Sequence, residues 1–206
     1  MKLLLATTSR GKLLEQRYAL EGLALDIVSL ADLPAIAAPE EKGSTFLENA
    51  RLKASYYHRA FGLPTVAEDA GLAIDALGGL PGVTSARWLG TETPYAQKNA
   101  RILELLEGTA ERDRTARYVS AVSLAVDGGI VFEHEATCEG RVATEPRGRG
   151  GFGYDPIFYY PPLSRTMAEL EPDEKNRVSH RGKAMAALRA YLVRRLQRPA
   201  GGINAL

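Results

Sequence analysis

The part of the sequence that most constrains the fold is the β-rich stretch in its second half. Strand-forming residues dominate from Arg114 to Val126 and again from Ile130 to Thr137. The two segments are joined by Asp127-Gly128-Gly129, a composition typical of a tight turn between antiparallel strands. This stretch therefore predicts a hairpin of two long antiparallel strands.

Strands and helices alternate through the rest of the chain. The apolar runs from Lys2 to Ala6 and from Asp26 to Leu30 predict strands. Thr45 and Glu48 form a capping-box pattern ahead of apolar residues at helical spacing. A last amphipathic helix is predicted to start near Ser179. Together with the hairpin, these elements indicate an α/β fold with a central mixed β-sheet flanked by helices.

Length and composition favour one globular domain. The chain has 206 residues, 45% of them hydrophobic and 25% charged, which is enough for one substantial core. We expect residues 1–197 to form that domain. The segment 198–206, which contains Pro199 and Gly201-Gly202, is predicted to be a flexible tail.

Charge and cysteine content narrow the partners and the compartment. Lys and Arg number 26 against 25 Asp and Glu, so the net charge of +1 does not indicate a nucleic-acid partner. No apolar run approaches the roughly 20 residues of a membrane helix, so no membrane partner is expected. The single cysteine, Cys138, and an apolar start shorter than a secretory signal predict a cytoplasmic location.

The segment between the first strand and the first helix could bind phosphate. It offers hydroxyls, a glycine, two cations and the backbone N–H groups of a helix start, all of which suit phosphate oxygens. It lacks the P-loop pattern, and an ordinary strand-to-helix turn is the simpler interpretation of the segment taken alone. The candidate residues are Thr7, Thr8, Ser9, Arg10, Gly11 and Lys12.

Two acidic pairs could hold a hard cation. Glu40-Glu41 lies in an irregular connection, and Glu68-Asp69 follows the short predicted strand Thr65 to Ala67, where we expect a loop. Carboxylate oxygens are the ligands that Mg²⁺ prefers. Solvated surface acids are the simpler interpretation of Glu40-Glu41, whereas apolar neighbours favour a partly buried site at Glu68-Asp69.

Two segments near the C-terminus could bind a flat ligand. Glycines on both sides of Phe152 let an aromatic ring and the backbone approach a planar molecule, although a flexible loop with a core Phe is equally compatible. Cations in the first turn of a helix oppose its macrodipole, which an electron-rich group such as a base carbonyl would offset. The donors near the start of the last helix are Lys175, Ser179, His180 and Arg181.

Taken in order, these motifs resemble the inosine triphosphate pyrophosphatase family over nearly the whole chain. The resemblance rests on Ala6-Thr7-Thr8-Ser9-Arg10-Gly11-Lys12, Gly43-Ser44-Thr45-Phe46-Leu47-Glu48-Asn49-Ala50, Glu68-Asp69-Ala70-Gly71-Leu72, Gly151-Phe152-Gly153-Tyr154-Asp155-Pro156 and Ser179-His180-Arg181-Gly182-Lys183-Ala184. It implies Mg²⁺-dependent hydrolysis of dITP, ITP and XTP to the monophosphate and pyrophosphate. It also implies a homodimer whose subunits have a long mixed sheet and a cleft between two lobes.

The resemblance also implies roles for individual residues. Thr7 to Lys12 and Lys53 would hold phosphates, and Asp69 would act as base and metal contact. Phe152 would stack on the purine, whose edge would be read by Asp155, Lys175, His180 and Arg181; Gly153, Tyr154 and Ala70 complete the predicted substrate contacts. Two positions depart from the family pattern: Ser9 stands where Asn is usual, and Ala70 stands where Ser is usual. These departures put one or two phosphate contacts in doubt.

The mechanism expected from these residues is attack of water on the α-phosphorus. Asp69 would orient or deprotonate the water, and Mg²⁺ would bridge the triphosphate to Asp69 and a second acid, chosen among Glu40, Glu41 and Glu68. Lys12, Lys53 and Arg87 would offset the charge of the leaving pyrophosphate. The alternatives are a related pyrophosphatase for modified pyrimidine or methylated nucleotides, and a nucleotide-binding regulator without turnover.

Overall fold

The computed structural model of the chain describes residues 1–197. Within them lie five α-helices: α1 (Arg10–Ala19), α2 (Phe46–Phe61), α3 (Tyr95–Leu105), α4 (Pro172–Val178) and α5 (His180–Leu196). The seven strands of the same range are β1 (Lys2–Leu5), β2 (Asp26–Ser29), β3 (Thr65–Ile74), β4 (Thr115–Val126), β5 (Gly129–Val142), β6 (Phe158–Tyr160) and β7 (Arg165–Thr166).

The seven strands form a mixed sheet in the order β2-β1-β3-β4-β5-β6-β7. Strand β1 pairs in parallel with β2 and with β3, whereas β6 pairs antiparallel with β5 and with β7. Parallel neighbours need crossover connections, which the helices provide, and the antiparallel strands follow one another along the chain. The predicted α/β fold with a central mixed sheet is confirmed.

The predicted hairpin is present, and its second strand is longer than expected. A two-residue turn, Asp127-Gly128, joins β4 to β5. Strand β5 continues past Thr137 to Val142, where Cys138 and Val142 are buried in an apolar cluster. Burial in the tertiary structure therefore extends a strand whose local sequence turns polar.

The prediction of a loop at Glu68-Asp69 is wrong. Strand β3 runs through both acids for ten residues, from Thr65 to Ile74. Acidic residues are rare inside buried strands because a lone buried charge is costly. Here both carboxylates have hydrogen-bond donors from neighbouring elements, which offset that cost.

The helix predictions held for α2 and missed α4. The capping box of Thr45 and Glu48 is formed, and α2 begins at the next residue. Helix α4 was not expected, because its seven residues are too few for an amphipathic pattern. Ser179 ends α4, so α5 begins one residue later, at His180.

The described chain divides into two compact units. The first contains residues 1–69 and 120–136 together with the chain from Arg181 onward, and the second contains residues 70–119 and 137–180. Strands β3, β4 and β5 each contribute residues to both units. The single two-lobed domain over 1–197 stays a prediction, and the predicted tail 198–206 lies outside the described residues.

In the first unit, the sheet has an apolar layer on each face. Leu3 and Leu5 of β1 join a cluster with Met185 and Leu188 of α5, whereas Leu4 joins a cluster with residues of α2. This division follows from the alternation of side chains along a strand. Helix α5 therefore covers one face of this part of the sheet, and α2 covers the other.

The second unit has an apolar core of its own. Ile102 and Leu106 at the end of α3 pack with Tyr118 of β4 and Phe158 of β6. The core thus joins α3 to the strands of this unit. Across residues 1–197, the helices are all too short or too polar to cross a membrane.

Candidate active site

The two acids of β3 point to opposite faces of the sheet, because successive side chains of a strand alternate. Asp69 lies against α2. Glu68 lies against α1, β4 and α5. Both residues are buried. The pair that the sequence presents as one acidic feature is therefore two separate sites.

Helix α2 holds both oxygens of the Asp69 carboxylate. The amide of Asn49 donates to Oδ2 at 3.1 Å, and the Lys53 ammonium donates to Oδ1 at 3.0 Å. Asn49 and Lys53 are four residues apart, so they share one face of the helix. Asn49 is held in turn by the backbone N–H of Gly43, which donates to its Oδ1 at 2.8 Å. This chain of contacts fixes the orientation of Asp69.

Lys53 also joins Asp69 to a second acid. Its Nζ donates to Oε1 of Glu41 at 2.6 Å, so one ammonium bridges the two carboxylates. Burial opposes the charge on Lys53, but Asp69 and Glu41 outweigh that effect and raise its pKa. Glu40 instead pairs with Lys42, and its side chain is 76% exposed. The structure therefore brings Glu41 to Asp69 and leaves the Glu40 side chain at the surface.

The two carboxylates beside Lys53 fit a magnesium ion. Mg²⁺ usually binds proteins through one or two carboxylates and takes its remaining ligands from water and substrate phosphates. Asp69 and Glu41 supply two such carboxylates beside one cation. In the part of the chain that the structure describes, no larger group of acidic, His or Cys side chains could hold a metal.

Glu68 lies at the centre of a buried network on the other face of β3. Gln16 of α1 donates to its Oε2 at 2.8 Å, and Ser120 of β4 donates to its Oε1 at 2.9 Å. The Nε of Arg181 lies 2.9 Å from both oxygens. The Glu68 side chain is 0% exposed. A carboxylate engaged by this many donors has little capacity left for a metal or a water.

Arg181 pairs with two acids of the first unit. Besides Glu68, it donates to Oε2 of Glu15 at 2.6 Å. Burial opposes its charge, but the two carboxylates outweigh that effect and raise the pKa of Arg181. The structure thus places this predicted base contact in an ion-pair network, where it neutralises two acids.

The predicted phosphate loop leads directly into α1. Ser9 caps the helix: its Oγ accepts from the Lys12 N–H at 3.4 Å, and its own N–H donates to Oγ1 of Thr7 at 3.1 Å. Arg10, Gly11 and Lys12 form the first turn of α1, at the end where the helix dipole favours anions. Ser9 therefore supports the helix start even without the side chain that is usual at this position.

Burial lowers the pKa of Lys12. The positive charges of Arg181 and Lys53 lower it further, and Glu68 and Asp69 oppose the shift. A bound anion would favour the charged ammonium. Lys12 is therefore suited to a phosphate that arrives with the substrate.

In the second unit, Asp155 is the centre of the residues predicted to bind the base. Its Oδ2 accepts from Lys175 Nζ at 2.6 Å and from the Phe152 N–H at 2.7 Å. Its Oδ1 accepts from the Tyr118 hydroxyl at 3.2 Å. Asp155 and Lys175 are both buried. Asp155 therefore positions the aromatic and cationic residues around it.

The turn that carries Phe152 needs glycine. Gly151 has a φ of +67°, and a Cβ at this position would collide with the Asp155 carboxylate. Beyond the turn, the Lys175 ammonium lies 4.6 Å from the centre of the Phe152 ring. The glycine thus lets Asp155 reach the backbone of the turn, and the ring is placed beside a cation.

His180 completes this group of residues. Its ring stacks on Tyr118 with centroids 4.4 Å apart and an angle of 15° between planes. The second unit also contains Gly153 and the buried Tyr154, and Ala70 lies partly buried on β3. The structure therefore collects the phosphate candidates, except Ala70 and Arg87, in the first unit, and it collects the base candidates, except Arg181, in the second.

Sequence reasoning assigned no role to several residues of these networks. Asn49 lies inside a quoted motif, four residues before Lys53, so helical spacing could have identified it. The other residues without an assigned role are Glu15, Gln16, Tyr118 and Ser120. No local sequence pattern identifies them, because they contact Glu68, Arg181 or Asp155 only in the folded chain.

Comparisons with known proteins find similar proteins over most of the chain. The model of the Ham1 family matches residues 3–191. A dITP/XTP pyrophosphatase of Geobacillus kaustophilus is 45% identical over 187 residues, which cover 91% of this chain and 92% of that protein. A dITP/XTP pyrophosphatase of Thermus thermophilus is 46% identical over 188 residues, covering 91% of this chain and 90% of that protein. The solved structure of a HAM1 protein from Coxiella burnetii has a TM-score of 0.84 and 40% identity, covering 94% of this chain and 99% of that one.

Proposed function

The chain belongs to the Ham1 family, and from this premise we propose that it hydrolyses the non-standard purine nucleotides dITP, ITP and XTP to the monophosphate and pyrophosphate. The family match confirms the resemblance that the motifs indicated. The observation that carries the proposal is the Lys53 ammonium, which joins Asp69 to Glu41 at a largely buried site. Two carboxylates can hold a divalent cation, and an ammonium beside them can pair with phosphate oxygens.

Asp69 is the proposed catalytic residue. Each of its oxygens accepts one hydrogen bond from α2, which leaves a lone pair to orient and deprotonate a water. The water attacks the α-phosphorus, its proton passes to Asp69, and the bond between the α-phosphorus and the bridging oxygen breaks. The products are the nucleoside monophosphate and pyrophosphate.

Cations of the chain offset the charge of the leaving pyrophosphate. Lys53 stays protonated at neutral pH because its pKa is raised, whereas burial lowers the pKa of Lys12 and a bound phosphate would favour its charged form. Arg87 is the third proposed contact. Fixed cations in a site with little water stabilise developing charge without reorganisation.

We also propose Mg²⁺ as the cofactor, held by Asp69 and Glu41. When bound, it supplies a Lewis acid that offsets the negative charge of the phosphates. Its place beside Lys53 is supported by the two carboxylates that this residue already draws together.

Selectivity for the base is assigned to the second unit. Hypoxanthine and xanthine carry a carbonyl at position 6, where adenine has an amino group. Lys175, whose ammonium lies beside the ring of Phe152, and His180, whose ring stacks on Tyr118, would supply donors that pair with a carbonyl and not with an amino group. A site built to hydrogen-bond one edge rejects the other by a large factor. The base contacts of Asp155 and Arg181 stay predictions, since both residues also hold other side chains in place.

A homodimer and a cytoplasmic location belong to the same proposal. The large apolar side chains of Leu14 and Tyr18, one turn apart on α1, are 59% and 48% exposed, which suits an interface between copies. The one cysteine, Cys138, is buried and forms no disulfide, as expected in a reducing compartment. Light scattering after size-exclusion chromatography measures the oligomeric state, and cell fractionation measures the location.

A pyrophosphate-release assay tests the activity. Purified protein is given ITP, XTP, dITP, ATP or dUTP, with and without Mg²⁺, and the products are identified by chromatography. We expect IMP and pyrophosphate from ITP, only with the metal, and at least about a hundredfold lower kcat/KM for ATP. Comparable values for ATP and ITP, or release of orthophosphate, would contradict the proposal. Preference for dUTP would instead indicate a pyrimidine pyrophosphatase.

A further inference from the structure

Helix α3 carries two consecutive buried polar residues that the proposed mechanism does not use. Lys98 is 1% exposed and Asn99 is 5% exposed. Burial lowers the pKa of Lys98, which shows that its charge is disfavoured where it lies. Buried polar side chains are costly and are kept where their hydrogen bonds hold something in place. The hydrogen bonds of Lys98 and Asn99 therefore indicate which parts of the chain these residues keep in place.

Both residues hold backbone carbonyls of loops next to predicted nucleotide contacts. Lys98 Nζ donates to the carbonyl of Ala86 at 2.7 Å, and Asn99 Nδ2 donates to the carbonyl of Gly153 at 3.2 Å. Ala86 immediately precedes Arg87, and Gly153 immediately follows Phe152. One helix thus reaches the segment of a proposed phosphate contact and the segment of the base-stacking ring.

A third hydrogen bond links the two segments to each other. The buried Tyr154, next to Gly153, donates its hydroxyl to the carbonyl of Ser85 at 2.8 Å. The edge of Tyr95 on α3 also packs on the Tyr154 ring, with centroids 5.1 Å apart. The bonds of Lys98, Asn99 and Tyr154 therefore form a closed ring of contacts, named here the α3 circuit.

We propose that the α3 circuit fixes Phe152 and Arg87 relative to each other and so couples purine binding to pyrophosphate binding. Lys98, Asn99 and Tyr154 are positioning residues in this role. The proposal rests on the proposed function, which assigns the base to Phe152 and the pyrophosphate to Arg87. Because the ring of contacts is closed, a loop that loses its hydrogen bond to α3 shifts the other loop as well. Opening the circuit at either end therefore displaces both contacts and weakens the binding of each half of the product.

Asn99 offers a clean way to open the circuit. Its Oδ1 has no hydrogen-bond partner among residues 1–197, whereas its Nδ2 holds Gly153. Asn99→Asp keeps the shape of the side chain, replaces the donor by an acceptor and adds a negative charge, so the attractive contact with the Gly153 carbonyl becomes repulsive. Lys98→Met keeps the apolar stem and removes the donor to Ala86. Gln97→Glu, at an exposed position of the same helix, makes the same amide-to-acid change outside the circuit.

The test measures each half of the product separately by calorimetry. IMP and pyrophosphate are titrated, with Mg²⁺ present, into wild type, Asn99→Asp, Lys98→Met and the control Gln97→Glu. Coupling predicts that each circuit variant weakens both ligands by about two- to tenfold, the effect of one hydrogen bond, while the control changes neither. KM for ITP should rise in the same variants.

A separation of the two effects would overturn the inference. If Asn99→Asp weakens only IMP and Lys98→Met weakens only pyrophosphate, each residue supports its own loop and no coupling exists. Thermal melts by circular dichroism identify a variant that does not fold, and Tyr154→Phe then opens the same circuit by removing one hydroxyl. A wild-type protein that neither hydrolyses ITP nor binds IMP contradicts the proposed function itself, and the inference falls with it.

Discussion

Glu68 and Asp69 are neighbours on β3, but their side chains differ in exposure and in hydrogen-bond partners. Glu68 is 0% exposed and accepts from Gln16, Ser120 and Arg181. The Asp69 side chain is 8% exposed, and one amide and one ammonium hold it from a single helix.

Both acids are buried, so their hydrogen-bond partners, more than their burial, decide their roles. A carboxylate saturated by donors and paired with a fixed guanidinium stabilises the structure that surrounds it. A carboxylate with spare lone pairs, beside a second acid that shares its cation, can still bind a metal or accept a proton. Four experiments test whether the two acids have these different roles.

Replacing Asp69 by Asn should have the largest effect. The change keeps the shape of the side chain and removes its charge and basicity, so kcat for ITP should fall by about a hundred- to ten-thousandfold. The free energy of unfolding should fall by only about 1–2 kcal/mol, because Lys53 keeps Glu41 as an acidic partner. The exposed Asp173→Asn serves as control. Near-normal turnover at saturating Mg²⁺ would exclude Asp69 as the catalytic residue.

The matching change on the other face, Glu68→Gln, should act on stability instead. Arg181 would be left buried with Glu15 as its remaining acid, so the free energy of unfolding should fall by about 3 kcal/mol. Turnover of the folded protein should change less than about threefold, an effect below one hydrogen bond to a charged group. Urea titration and active-site-normalised kinetics measure the two quantities. Lost turnover with unchanged stability would make Glu68 the reacting acid and reverse the comparison.

The second acid of the Asp69 site can be identified by a matched pair of variants. Glu41→Gln should raise the Mg²⁺ concentration for half-maximal activity by about tenfold, because Glu41 shares Lys53 with Asp69. Glu40→Gln should leave it unchanged, because that side chain is exposed and paired with Lys42. Equal effects of the two changes would show that the acidic segment acts as a whole.

The smallest effect expected is the pH dependence that Lys53 confers on stability. Its pKa is raised above the ordinary 10.5 in the folded protein, so its contribution is complete below that pH and is lost as the pH rises through the raised value. Wild type should be more stable than Lys53→Met by about 1–2 kcal/mol at pH 7, with the difference shrinking above pH 10.5. A difference that grows with pH would mean that Lys53 is bound as the neutral amine.

The sequence was most informative where function depends on a few adjacent residues. Thr45 and Glu48 identified the start of α2. The glycines around Phe152 indicated a turn, and in that turn the Asp155 carboxylate occupies the space that a Cβ at Gly151 would need. Turn chemistry and helix capping involve residues within about four positions of each other, so they can be read from the chain itself.

The same local reasoning failed at Glu68 and Asp69. It placed both acids in a loop because the apolar run that predicts the strand ends at Ala67. Their partners lie far along the chain: Gln16 is 52 positions from Glu68, and Arg181 is 113 positions from it.

Short motifs and their order in the sequence were enough to predict the family, the mixed α/β fold and most of the candidate residues of the site. The tertiary structure was needed to show which acid faces which helix, that Glu41 and not Glu40 meets Asp69 through Lys53, and that α3 donates to the carbonyls of Ala86 and Gly153. The reason is physical. The alternation of a strand sends adjacent side chains to opposite faces, and what each one then meets depends on elements that only the packing of the sheet brings together.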